Sequence, residues 1–164
     1  MKKISPHSGT TVVELVLYMG LLSIFIMILF DLFAQILSTQ TRSTGVSLVQ
    51  TNGNFLLTKL THDINQADSI IAPAVIDATS SSMILKIGAT NATYSVSGSR
   101  LLLSDASGTY YLNDIDTSVS DFLVRKIGNS TGRPGLLLFF TVSSNVVDNS
   151  NIKTKSFQTF AALR

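Results

Sequence analysis

The chain has 164 residues, of which 45% are hydrophobic and only 13% charged, and its mean hydropathy is +0.37. That length holds one domain plus an anchor rather than two full domains. The absence of cysteine excludes disulfides, thiolate metal sites, lipoprotein acylation and cysteine catalysis. The formal net charge of +2 includes Lys2 and Lys3; without residues 1–9, ten Lys and Arg balance ten Asp and Glu. The sequence pI near 9.0 is therefore no mark of a nucleic-acid binder. Arg100, Arg125, Lys126, Arg133, Lys153 and Lys155 are scattered, with no basic stripe and no interleaved aromatics, so no dedicated nucleic-acid surface is expected.

The hydrophobic excess is concentrated near the N-terminus. From Leu15 to Phe30 the sequence LVLYMGLLSIFIMILF carries no charge, and between Val12 and Leu37 only Glu14 and Asp31 interrupt the apolar run. As a helix, Val12–Leu37 extends roughly 39 Å, longer than the roughly 30 Å hydrocarbon core of a bilayer. Proline is absent and Gly20 is a mild weakness. The run is too long for the apolar region of a secretory signal peptide, and FAQILSTQTRS after it has no small-x-small cleavage site. The expectation is a single membrane helix. Lys2 and Lys3 hold the N-terminus cytoplasmic and place the body beyond residue 38 outside the cytoplasm.

Within that run Glu14 is expensive. An acidic side chain costs about 2.5 to 3.5 kcal/mol at the centre of a membrane helix and less near the interface, and such residues are functional when a partner exists. A cut after Gly9 would supply one. The new α-amino group of Thr10, with an ordinary pKa of about 7.7 to 8, then lies one helical turn from Glu14 or reaches the Glu14 of a neighbouring chain.

These residues carry a resemblance. A short basic leader, Gly9, the stretch TTVVE and then a long apolar helix resemble the class III leader of the type IV pilin superfamily. The resemblance implies that a prepilin peptidase cuts after Gly9 and methylates the amine of Thr10. It also implies that Glu14, fifth residue of the mature chain, pairs with the N-terminal amine of an adjacent subunit during filament assembly. The partners so implied are other pilin or pseudopilin subunits, the peptidase, an inner-membrane assembly platform and membrane lipid. The first mature residue is usually phenylalanine in that family; here it is Thr10, for which slower processing at worst is expected. The membrane helix also lacks a proline and has Asp31 late in its run, read as a marker of the outer interface, with a second intersubunit contact as the alternative.

Beyond Leu37, Val46, Val49, Leu56, Leu57, Leu60, Ile64 and Ala67 form one apolar stripe at helical spacing. Gly45 and Asn52–Gly53–Asn54 weaken that helix, and a bend is expected there; Pro73 closes it off. From residue 75 onward MILKIG, ATYSVSG, RLLLSD, GTYYLND, SDFLVRKIG, GLLLFFTVSS and KSFQTFAALR read as strands separated by Gly, Ser, Asn and Asp turns. No helix interrupts them, which predicts one antiparallel sheet with the unalternating Leu136–Phe140 at its centre. The expected fold is α+β: a leader (1–9), a membrane or filament-core helix (10–37), its amphipathic continuation and exit (38–72), and a β-rich domain (73–164). LLTKLTHDINQA, the short strands and a final strand ending in arginine are similar to the J-type minor pseudopilins of type II secretion and to related minor pilins. Glu14 argues against the tip-most pseudopilin type, which lacks that glutamate.

Little else carries chemistry. His7 lies in the leader, and His62 alone makes neither a metal cluster nor a triad, so it reads as a solvated or capping side chain. Asn113, Asp114, Asp116 and Asp121 offer oxygen atoms suited to calcium, but their spacing matches no EF-hand and suits turns. Asn91-Ala92-Thr93 and Asn129-Ser130-Thr131 fit the common N-glycosylation pattern. No cofactor and no enzyme activity are expected. The expectation is a minor pilin or pseudopilin that leaves the membrane for a pilus or pseudopilus. Its rivals are a major pilin and a monomeric, membrane-anchored extracytoplasmic binding domain in which Glu14 is incidental.

Overall fold

The computed structural model describes residues 11–128, 132–146 and 152–164. The chain forms two compact units, Met1–Gln40 and Thr41–Arg164. One helix, α1 (Val12–Gln66, 55 residues), supplies all the helical structure among the described residues. Thr11 caps it: its Oγ1 accepts from Glu14 N at 3.3 Å, occupying an amide that has no partner inside the helix, and its carbonyl accepts the first helical bond, from Leu15 N, at 3.2 Å. At the other end Ala67 N donates to the Ile64 carbonyl at 3.2 Å, a tightened last turn that releases the chain into a strand.

In the first unit α1 buries nothing. Val12, Leu17, Met19, Leu21, Ile24, Met27, Phe30 and Phe33 are all at least 60% exposed, although the run has a mean hydropathy of 2.5. Among the described residues it is the one helix long and apolar enough to cross a membrane.

In the second unit α1 buries a single stripe: Gly45, Val49, Gly53, Leu56, Leu60, Asp63 and Ile64. Leu56, Leu60 and Ile64 are fully removed from solvent, each contributing about 1.5–3 kcal/mol. Val46, expected on this stripe, lies off it at 47% exposure. The expected bend does not interrupt the helix, which runs unbroken through Gly45 and Gly53. Both glycines are instead places of close packing. A Cβ on Gly53 would lie 2.0 Å from the ring of Phe157, and one on Gly45 would lie 3.4 Å from Ser144 Oγ.

The strands are β1 (Ser69–Ala72), β2 (Thr79–Ser80), β3 (Ser82–Ile87), β4 (Thr90–Ser97), β5 (Arg100–Asp105), β6 (Gly108–Tyr111), β7 (Thr117–Ile127), β8 (Gly135–Ser144) and β9 (Thr154–Ala162). They form two antiparallel sheets, ordered β1-β3-β4-β5-β6 and β2-β7-β8-β9, rather than the single sheet expected. β2 joins the second sheet through β7, and the chain crosses to that sheet again after β6. At this crossing Asn113 Oδ1 accepts from Leu101 N at 2.8 Å and its Nδ2 donates to the Thr117 carbonyl at 2.7 Å, tying β5 to the start of β7. β1 and β2, too short to show a period, were not expected as strands.

Inner faces of both sheets and the second half of α1 share one core, containing Met83, Leu85, Tyr94, Leu101, Val119, Val124, Leu136, Leu138, Phe140 and Phe157. Leu136–Phe140 lies in β8, between β7 and β9. Its lack of alternation has a clear cause: Leu136, Leu138 and Phe140 are fully buried, while Leu137 and Phe139 are half-buried on the other face. The fold is α+β, with a long N-terminal helix whose second half packs on antiparallel sheets.

Candidate functional site

Glu14 lies in the first turn of α1, where the exposed amides and the helix dipole favour a negative group. The carboxylate is exposed, and one of its oxygens, Oε1, accepts a hydrogen bond of 3.1 Å from the hydroxyl of Tyr18, one turn further along. Among the described residues Glu14 has no cationic partner. The residues around it, Val12, Val13, Leu15, Leu17 and Met19, are apolar and more than half exposed. Gly9 and Thr10, the expected processing site, lie outside the described residues. Asp31, toward the far end of the apolar run, is likewise exposed and without an ion pair among the described residues. Near Asp31, Ile26, Leu29, Phe30 and Phe33 line an open apolar groove on the helix surface.

This geometry can hold a carboxylate at the start of an apolar helix and offer it, together with the helix surface, to another apolar element carrying a cation. No protein-family model matches this chain, and neither does any curated protein or solved structure. The site is therefore judged on its own residues.

The second unit contains a polar cluster that sequence reasoning missed. Asp63, 4% exposed, sits on the buried stripe of α1 and accepts from the Tyr94 hydroxyl of β4 at 2.5 Å. It also accepts from Lys59 Nζ at 2.9 Å, one turn back, and faces His62 Nδ1 at 3.4 Å. Burial and the bond to Asp63 push the Tyr94 hydroxyl far above the ordinary tyrosine value, so it stays protonated as a donor. The cluster fastens helix to sheet. Its only signal in the sequence is an acidic residue at a core position of the helical period. His62 is 60% exposed and bonds to Gln66, the solvated role expected of it.

The acidic stretch near residue 113 is not gathered into a site. Asn113 is buried and its amide is used in bracing β5 against β7; Asp114 Oδ1 accepts from Ile115 N; Asp121 sits in a β7 bulge with φ 52. Among the described residues no three His, Asp or Glu side chains cluster as metal ligands. Asn91 is exposed in the β3–β4 hairpin, and Asn129 lies outside the described residues.

Proposed function

We propose that this chain is a minor pilin or pseudopilin: a structural subunit cut after Gly9, methylated at Thr10, and built into a type IV pilus or type II secretion-like filament with Glu14 guiding assembly. The observation that carries this reading is a capped helix that begins with a lone carboxylate, exposes an apolar surface over its first half and anchors a folded domain with its second half. An anchor needs apolar length but has no use for Glu14, whose desolvation only weakens insertion. A subunit that passes from lipid into a helix-packed filament uses both features. The apolar side chains exchange lipid for neighbouring helices, and Glu14 meets a partner's N-terminal ammonium only at the correct axial register. The β-rich unit then faces outward, and the partners are further pilin-like subunits, the prepilin peptidase, an inner-membrane platform and lipid.

Glu14→Ala tests the role of the carboxylate. In cells carrying the peptidase and the partner subunits, the variant is expected to insert and be cleaved normally but to stay in the membrane pool, with assembled protein reduced at least tenfold, the factor that about 1.4 kcal/mol represents. Assembly of Glu14→Ala at the unsubstituted level would overturn the role of Glu14, and absence of the unsubstituted chain from any filament would favour the monomeric anchored domain instead.

A further inference from the structure

Between Val12 and Phe30 three side chains carry oxygen atoms: Glu14, Tyr18 and Ser23. Ser23 returns its hydroxyl to the Met19 carbonyl at 2.8 Å, within its own helix. Tyr18 does not; its hydroxyl reaches Glu14 Oε1 at 3.1 Å. Side chains of a helix lean toward its N-terminus, so a tyrosine four residues after Glu14 lies over that carboxylate. The other carboxylate oxygen, Oε2, has no partner among the described residues.

We propose that Tyr18 is a positioning residue for Glu14, holding Oε1 against the helix so that Oε2 is presented sideways to a cation on a second copy or a co-assembling subunit. The proposal rests on the assembly role of Glu14 given above. Two physical effects follow from the bond. A carboxylate in an apolar layer loses its water, and a hydroxyl donor replaces part of that solvation. A glutamate side chain is also flexible, and fixing it before encounter removes an ordering cost from association. The bond occupies one oxygen only, so it leaves room for the intermolecular ammonium.

Tyr18→Phe keeps the ring and removes the hydroxyl. It is tested in the full chain, in cells with the peptidase and partner subunits, by measuring the cleaved fraction and the fraction crosslinked into filaments. The cleaved fraction is expected to stay unchanged, while the assembled fraction falls roughly tenfold or more, as for loss of one hydrogen bond to a charged group. Added to Glu14→Gln, Tyr18→Phe is expected to cause no further fall; a ring that served only packing would show no such dependence on residue 14. An unaltered assembled fraction for Tyr18→Phe, with Glu14→Ala held in the membrane pool, overturns the proposal and leaves the assembly role of Glu14 standing. A fall of equal size in the Glu14→Gln background also overturns it. Normal assembly of both Tyr18→Phe and Glu14→Ala removes the assembly role of Glu14 and, with it, the proposal.

Discussion

Two carboxylates in this chain are bonded by tyrosines, with opposite consequences. Tyr18 lies on an exposed helix surface and leaves Glu14 available; Tyr94 meets Asp63 inside the core, where an unpaired partner is costly. The high proton affinity of the Tyr94 hydroxyl gives a stability signature. Unfolding returns Tyr94 to an ordinary tyrosine, which loses its proton above about pH 10 while the native residue keeps it. The unfolded state then binds fewer protons, so the stabilisation is complete below pH 10 and declines above it, at about 1.4 kcal/mol per pH unit. Denaturation of the detergent-solubilised chain from pH 9 to 11 is expected to show this decline, and Tyr94→Phe to remove that component. Tyr94→Phe is also expected to cost about 1–3 kcal/mol at neutral pH, because Asp63 loses a buried donor. An alkaline profile identical in both proteins would contradict the protonated assignment.

At the level of the element, α1 shows why glycine in a helix has two meanings. Gly20 has nothing within 4 Å of where a Cβ would stand, whereas Gly53 receives the Phe157 ring, which is 6% exposed and stacked on Phe140 at 5.6 Å between centroids. Gly20→Ala is expected to be neutral or to gain up to about 1 kcal/mol from helix propensity. Gly53→Ala gains the same propensity, yet is expected to lose about 1–3 kcal/mol net, because the ring has no free volume to enter. Chemical denaturation of the two full-length variants separates these cases. The helix itself was legible from its apolar run and its later stripe at Val49, Leu56, Leu60 and Ile64, since burial follows the 3.6-residue period directly. The close packing at Gly53 was not legible because propensity is local, and the aromatic that meets it, Phe157, lies more than one hundred residues further along the chain. Strands β3 to β9 were legible from alternation and turn residues, but the division into two sheets was not: it depends on pairings between strands distant in sequence, such as β2 with β7, which turn residues do not fix. Glu14 stood out because a charge in an apolar run is expensive wherever it is placed; Tyr18 did not, because a tyrosine there costs little.

For the molecule as a whole, the two units differ in what they bury. The second unit has its own core, drawn from both sheets and the packed half of α1, while the first exposes its apolar residues to whatever surrounds them. Such a surface is stable only in lipid or against other apolar helices. In the proposed assembly Glu14 favours the second setting when a partner's N-terminal ammonium is offered, and Thr10 carries that ammonium only if the chain is cut after Gly9. The most direct measurement is therefore the intact mass and N-terminal sequence of the protein after co-expression with a prepilin peptidase. The account predicts a chain that begins at Thr10 and carries one added methyl group. A chain that still begins at Met1, fully inserted and in the presence of active peptidase, would contradict it and leave a plain membrane anchor.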